Sequence, residues 1–366
     1  GLAIMGFGGG AMIGAPLADR LMNVFASDQA VGVWQTFVVL SAIYFIAMTL
    51  GAFGYRLPAA DWNPGSASAH KPHALVTSAH VDANAAIRTP QFWLLWGVLC
   101  LNVSAGIGVI GMASPMLQEV FGGQLIGVPA RLGELDAAQR AEVATIAAAF
   151  AGLLSLFNIA GRIMWASASD VLGRKLTYTV FFLLGFLLYV SAPIAGEAGR
   201  VALFVAIMCI ILTMYGGGFS TIPAYLADLF GTRQVGAIHG RLLTAWSAAG
   251  ILGPVIVNYI REFQLQRGVA PHEAYNFTMY VLAGMLIVGL ICNALIKPVD
   301  AKHHMRAEPD PARGSAKTSA GIRASIPIAA GALSQRGLLI ATWTAIALPL
   351  LWGVWITLRN SLALFR

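Results

Sequence analysis

Arg162 is the residue whose type and position most directly suggest chemistry. It lies inside the apolar run 141–168, with no other charged residue within seven positions on either side. A charged side chain within a membrane helix is costly, and it marks a candidate functional site. A guanidinium stays charged and offers a planar fork that fits a carboxylate through two parallel hydrogen bonds. Arg162 is therefore a candidate binding site for a mobile anion.

A purely structural alternative for Arg162 is an ion pair with Asp170, eight residues further along the chain. Eight helical residues span about 12 Å along the axis, which is too far for a direct contact. The neighbouring apolar runs contain no acidic residue at a comparable depth, and the mobile anion is therefore the preferred interpretation. Asn102 and Asn158 are candidate hydrogen-bonding neighbours of that anion.

The composition places these residues in a membrane protein. Of the 366 residues, 58% are apolar and 11% are charged, and the mean hydropathy is +0.73. Soluble domains carry about 25% charged residues. The net charge of +7 comes from loops between apolar runs, a distribution that argues against nucleic acid as a partner and for a lipid bilayer. The three cysteines are far apart and show no disulfide framework or metal-ligand spacing.

Apolar runs long enough to cross a bilayer recur along the chain, and the predicted fold class is an all-α polytopic membrane protein. The chain begins at Gly1, already inside an apolar run, and we expect an N-terminal part to be missing. Polar stretches separate the runs into two blocks and a final span. The predicted spans are 1–25, 34–54, 90–121, 141–168, 176–194, 201–230, 235–260, 275–296 and 337–358.

Two of the polar stretches are predicted linkers, and they divide the chain into five segments. The first linker is rich in proline, serine and alanine, and the second is rich in basic residues. The segments are two helices in 1–54, a linker in 55–89, a six-helix bundle in 90–298, a basic linker in 299–336 and an extra transmembrane helix in 337–360.

The distribution of lysine and arginine predicts the orientation of the chain. Loops on the side of the two linkers hold fourteen basic residues, and loops on the opposite side hold six. Cytoplasmic loops carry the excess of lysine and arginine. We therefore expect the linkers to be cytoplasmic and the protein to reside in a plasma membrane, the inner membrane in a bacterium.

A charged turn on the predicted cytoplasmic side follows the run that contains Arg162. It consists of Asp170, Gly173, Arg174 and Lys175, with Ala166 four residues before the aspartate. Opposite charges at helix ends can lock one conformation and release it in another. These charges are compatible with a gating role, and a solvated turn that only follows the charge bias of cytoplasmic loops would have the same composition.

Glycine and proline recur at matching places in the two blocks. Gly14 and Pro16 lie in the run 1–25, and Gly250, Gly253 and Pro254 lie in the run 235–260. Small residues in membrane helices allow close helix packing. The two runs occupy corresponding places before a basic linker. If the blocks are repeats, as in many transporters, four helices are missing before the first run.

These motifs together resemble the major facilitator superfamily. The turn matches its cytoplasmic loop motif with Ala166 in place of glycine, and Gly250–Pro254 resembles its glycine/proline helix motif. More narrowly, several segments resemble the oxalate/formate antiporter family. They are Thr89–Trp93, Asn158–Arg162, Pro223–Gly231 and His239–Trp246.

The resemblance implies a helix bundle of the major facilitator type that lacks its first four helices, with one extra C-terminal transmembrane helix. It also implies that Arg162 pairs with a substrate carboxylate and that the aromatic rings of Tyr215 and Phe219 line the site. Trp246 departs from the pattern, because family members that carry oxalate are expected to have a lysine near this position. A single interior cation favours a monocarboxylate such as formate or lactate.

We therefore expect a secondary active carrier for small organic anions that works by alternating access, with exchange favoured over proton symport. The alternative is a membrane-embedded sensor or accessory subunit that binds an anion without transporting it. An enzyme is not expected, since the helices show no nucleophile–base pair or cluster of histidine and glutamate. We expect no cofactor and no metal, and a monomeric protein.

Overall fold

The computed structural model describes residues 10, 13–14, 17–18, 20–27, 30–54, 75–305, 344, 347–348, 351–355, 357–359 and 362–365. Regular structure in these residues is helical, and none of them belongs to a β-strand. The all-α fold class is therefore confirmed. Most of the predicted spans 1–25 and 337–358, including Pro16, lies outside the described residues.

The longer helices follow the predicted apolar runs with shifted ends. Seven stretches in the described part are long and apolar enough to cross a membrane. One of them, Val235–Gln266, consists of two helices that meet at Leu243. The helices are α1 (Val33–Gly54), α2 (Pro90–Phe121), α3 (Ala137–Leu172), α4 (Arg174–Glu197), α5 (Val201–Phe230), α6 (Val235–Leu242), α7 (Thr244–Gln266) and α8 (Asn276–Leu295).

Local sequence signals set the helix ends. The Thr89 hydroxyl accepts a hydrogen bond from the Phe92 amide at 3.3 Å, and Pro90 occupies the first helical position of α2. At α3 the Asp136 carboxylate accepts from the Gln139 amide at 2.8 Å. Gly173 ends α3 with φ of +86°, a conformation that a residue with a Cβ rarely adopts. The predicted span 235–260 is divided at Leu243 into α6 and α7.

Helices α2 to α8 pack against one another around a common apolar core. The closest associations pair α3 with α5, α2 with α7, and α4 with α8. Helix α1 is different, since Thr36 and Leu40 are its only buried residues and Phe53, for example, is 81% exposed. The bundle that positions Arg162 is therefore built from the helices after residue 90.

Small residues allow the close helix contacts, but not at every predicted position. A Cβ added to Gly253 of α7 would lie 2.6 Å from the Ser104 carbonyl oxygen of α2, so this glycine permits close packing. Gly250 is exposed, and a Cβ there would meet no described atom within 4 Å. The packing role predicted for Gly250 is therefore not seen in the described part. Pro254 lies inside α7, and a Cβ on Gly14 would be 3.3 Å from the Tyr44 hydroxyl.

The end of the predicted first linker is docked on the bundle. The Thr77 amide donates to the Asp228 carbonyl oxygen at 2.9 Å, and the Val81 amide donates to the Phe230 carbonyl oxygen at 2.9 Å. Asp82 then caps the helical turn Ala83–Ala86. Hydrogen bonding from the Asn84 amide is the main cause that lowers the pKa of Asp82. Part of the predicted linker, residues 75–89, is thus held against the end of α5.

Candidate functional site

Arg162 is a fully buried cation in the bundle. Its side chain lies on α3 with 1% of its surface exposed, and it is the one charged residue among the buried residues that the structure describes. The Arg162 Nε donates to the Asn158 Oδ1 at 3.2 Å, one helical turn earlier. A hydrogen bond to a neutral amide satisfies a donor without cancelling the charge. The pair therefore forms a positively charged, polar point in an apolar interior.

An aromatic cluster covers this point. The Arg162 Cζ lies 5.2 Å from the centroid of the Phe219 ring, within the range of cation–π attraction. The Phe219 ring lies 4.4 Å from the Trp246 ring, and Trp246 lies 5.9 Å from Tyr215. Helices α3, α5 and α7 thus bring together five of the six predicted substrate-binding residues. The Arg162 side chain is buried, and the Phe219 and Trp246 rings are partly exposed.

Asn102 extends the site to α2. Its side chain is 6% exposed, and its Nδ2 has no hydrogen-bond partner among the described residues. The amide packs against Gly218, where an added Cβ would collide with Nδ2. On the next turn of α2, Gly106 leaves room for the Tyr215 ring, because a Cβ added to this glycine would lie 2.5 Å from the Tyr215 Cγ. The structure places Asn102 beside the glycines of α5 and shows no direct bond to Arg162.

The close approach of α3 and α5 depends on paired glycines. A Cβ on Gly161 would collide with the Thr213 carbonyl oxygen, and one on Gly216 would collide with the Asn158 carbonyl oxygen and lie 2.6 Å from its Oδ1. The two backbones are therefore nearly in contact beside Arg162. This contact positions the Asn158 amide between the two helices.

Several polar residues that sequence reasoning did not select hold this segment in place. The Ser220 hydroxyl donates to the Arg162 carbonyl oxygen at 2.9 Å, and Trp165 Nε1 donates to the Thr213 hydroxyl at 3.1 Å. The Tyr178 hydroxyl donates to the Gly218 carbonyl oxygen at 2.5 Å. Helical spacing links Trp165 to the face of Gly161. Nothing local in the sequence indicates Tyr178, which lies on another helix.

Asp170 is paired with Arg174, and the structural alternative for Arg162 is therefore not the arrangement observed. The Arg174 Nη2 lies 2.5 Å from the Asp170 Oδ1, and the Arg174 Nε lies 3.7 Å from the Asp228 Oδ2. The Ser169 hydroxyl also contacts the same guanidinium. Asp228 was absent from the predicted gating residues. Its position at the end of α5, opposite a basic turn, is the sequence signal that points to it.

Lys175 does not join this cluster. Its Nζ donates to the carbonyl oxygens of Ala294 at 2.8 Å and Ile296 at 2.7 Å, at the C-terminal end of α8. Gly173 supplies the bend between α3 and α4. Of the four residues predicted for gating, the structure therefore joins Asp170 and Arg174 directly, gives Gly173 a backbone role, and turns Lys175 toward a different helix.

The residues around Arg162 come from four helices. They combine a cation, two side-chain amides and three aromatic rings. No group of three histidine, cysteine, aspartate or glutamate side chains in the described ranges has the spacing of a metal site. The helices that contribute these residues lie in stretches long and apolar enough to cross a membrane.

Comparison with known proteins identifies the family. The model of the Major Facilitator Superfamily matches residues 1–254 and 144–365, which together cover nearly the whole chain. The chain belongs to the major facilitator superfamily, and it is an integral membrane protein.

Relatives with described functions are transporters of carboxylates by name. The chain is 27% identical to the oxalate:formate antiporter of Oxalobacter formigenes over 69% of this chain and 52% of that protein. It is 25% identical to the apicoplast pyruvate carrier 1 of Toxoplasma gondii over 83% of this chain and 60% of that protein. It is 23% identical to the mouse monocarboxylate transporter 14 over 40% of this chain and 26% of that protein. The chain thus spans about half the length of the relatives it matches.

Proposed function

We propose that this chain belongs to a secondary active carrier for small organic anions in which Arg162 binds the substrate carboxylate. The observation that carries the proposal is the buried guanidinium of Arg162, held by Asn158 and covered by Phe219. A desolvated cation attracts a carboxylate strongly because the surroundings screen the charge weakly. The names of the relatives support the same substrate class.

We propose a monocarboxylate such as formate or lactate in preference to oxalate. A dianion favours two cations, and the described residues offer one fully buried charged side chain. Family members that carry oxalate are expected to have a lysine near position 246. This chain has Trp246 there, and its ring packs on Phe219. A tryptophan adds an apolar wall to the site without adding charge. Exchange of one anion for another needs no titratable group in the site.

Alternating access would open the site to each side in turn. The Arg162 guanidinium lies 5.2 Å from the Phe219 ring, which packs on Trp246, and we propose that these two rings move away from α3 when substrate enters. We place the protein in a plasma membrane, the inner membrane in a bacterium, with both linkers cytoplasmic. The Asp170–Arg174–Asp228 cluster would fasten the cytoplasmic ends of α3, α4 and α5 in one conformation.

The decisive experiment uses the protein from its complete gene, reconstituted in liposomes preloaded with unlabelled formate. Uptake of labelled formate, lactate and oxalate is measured for the wild type, Arg162→Gln and Arg162→Lys. We expect Arg162→Gln to lower uptake roughly 10- to 100-fold, since hydrogen bonds to a charged group contribute about 1.5–3 kcal/mol. Arg162→Lys keeps the charge without the planar fork and should retain part of the activity.

The matched control is Arg267→Gln, which removes an arginine at the end of α7, beside Phe263. It should transport like the wild type. Undiminished uptake by Arg162→Gln would show that Arg162 is structural. If a monodisperse wild-type protein carries none of the three anions but binds one of them, the sensor function replaces the carrier.

A further inference from the structure

A second concentration of arginine lies at the end of the bundle opposite the Asp170–Arg174 turn. We call this the distal end, formed by residues 118–142, 197–200 and 261–276. These residues include seven carboxylates and five arginines, and the face as a whole is therefore acidic. An acidic face repels anions. The arginines, however, are not spread evenly over it.

Three of the five arginines line one cavity. The cavity has a volume of about 630 Å³, and its charged lining consists of Arg131, Arg140, Arg261 and Glu119, with His272 beside them. One carboxylate against three guanidinium groups makes this cavity cationic on a face that is otherwise acidic. A depression lined by one sign of charge focuses the electrostatic field and raises the local concentration of the opposite ion.

The single carboxylate of the lining is already held by one of the arginines. The Arg261 Nε donates to the Glu119 Oε2 at 3.0 Å, and the Arg261 Nη2 donates to the Glu119 Oε1 at 2.5 Å. This bidentate pair joins the ends of α2 and α7 and packs against the Tyr275 ring. The net positive charge of the cavity therefore comes from Arg131 and Arg140, which are both exposed.

The cavity lies on the same helices as the candidate site. Helix α2 carries Asn102 and ends beside Glu119, and helix α7 carries Trp246 and Arg261. Fifteen residues separate Trp246 from Arg261, which is about 22 Å along a helix. An anion in the distal cavity would thus lie at one end of two of the helices that surround Arg162.

We propose that this distal cavity is an anion-capture site for small carboxylates, with Arg131 and Arg140 as the attracting charges. This inference rests on the proposed carrier function. The site concentrates carboxylates at the distal end before they reach Arg162, and it contributes to the apparent affinity from that side alone. Its action weakens as salt is added, because exposed charges are screened over about 8–10 Å at 0.1–0.15 M ionic strength.

The test compares two double variants of the complete protein. Arg131→Gln with Arg140→Gln removes the attracting charges. Arg200→Gln with Arg267→Gln removes the same net charge from the same face, but at arginines outside the cavity lining. Initial rates of labelled formate transport are measured over a range of formate concentrations, in intact cells and in inverted vesicles, at low and high salt.

We expect the cavity variant to raise KM for formate roughly three- to tenfold from the distal side, with kcat within about twofold of the wild type. Transport from the other side should be unchanged, and high salt should reduce the difference. The control variant should match the wild type. An equal rise in KM for the control, an unchanged KM in the cavity variant, or a loss of kcat from both sides would each overturn the inference. A wild type that transports no anion would overturn the carrier function itself, and the capture role with it.

Discussion

Arg162 and Arg174 lie twelve residues apart in the chain, yet they have different kinds of partner. Arg162 is buried and contacts the amide of Asn158 and the ring of Phe219, which are both uncharged. Arg174 lies at a helix junction and contacts the carboxylates of Asp170 and Asp228. The cluster at Arg174 thus holds both signs of charge within the chain itself, as expected for a fastening between helix ends.

Arg162 and Arg174 are also held in position by different kinds of contact. At Arg162, position depends on how closely α3 and α5 approach, because paired glycines bring the backbones together. At Arg174, position depends on the bend at Gly173 and on ion pairs between flexible side chains. Packing should therefore matter more at the first region, and charge complementarity should matter more at the second.

The largest expected effect is that of Gly216→Ala. The new Cβ would collide with the Asn158 carbonyl oxygen, and the helices must separate. Overpacking a close contact costs about 1–3 kcal/mol. We expect a clear fall in the thermal unfolding temperature in detergent, together with loss of formate uptake, since Asn158 supports Arg162.

Gly250→Ala is the matched control, because a Cβ there meets no described atom within 4 Å. It should unfold at nearly the wild-type temperature. Equal destabilisation by the two substitutions would show that the α3–α5 contact does not depend on the absence of a Cβ at Gly216.

A charge swap should distinguish the two arginines. Arg174→Asp places a third carboxylate beside Asp170 and Asp228, and like charges at this distance repel. We expect it to lower the transport rate by about tenfold, a barrier change of about 1.4 kcal/mol. Adding Asp170→Arg restores opposite charges across one helical turn and should recover a substantial part of the rate.

Exchanging Arg162 with its hydrogen-bond partner Asn158 should not restore transport. Asn158→Arg with Arg162→Asn keeps the two residue types but moves the cation by one turn, away from Phe219. We expect this variant to stay inactive when formate uptake is measured beside the Arg174 pair. If the exchange at Arg162 restored formate uptake, or if the exchange at Arg174 did not, the two arginines could no longer be assigned to a substrate site and to an ion-pair cluster.

The sequence predicted the helical fold and the burial of Arg162, because both depend on strong local signals. Apolar runs define the spans, and a lone arginine in one of them is rare. The family resemblance also indicated Tyr215 and Phe219, whose rings both lie near Trp246. The pairing of Asp228 with Arg174 and the contact of Tyr178 with Gly218 were not predicted, since they join different helices. Tertiary packing of that kind leaves no periodic signal.

Lys175→Met should have the smallest effect, and it tests whether the charged turn acts as one unit. The sequence groups Lys175 with Arg174, but its Nζ donates to the Ala294 and Ile296 carbonyl oxygens at the end of α8. Loss of these bonds should cost about 0.5–1.5 kcal/mol of stability and leave the ranking of formate, lactate and oxalate unchanged. The control Lys302→Met breaks an exposed pair with Asp300 and should cost less, about 0–1 kcal/mol. If Lys175→Met instead slows transport as strongly as Arg174→Asp while thermal unfolding is unaffected, Lys175 belongs functionally to the Arg174 cluster despite its different contacts.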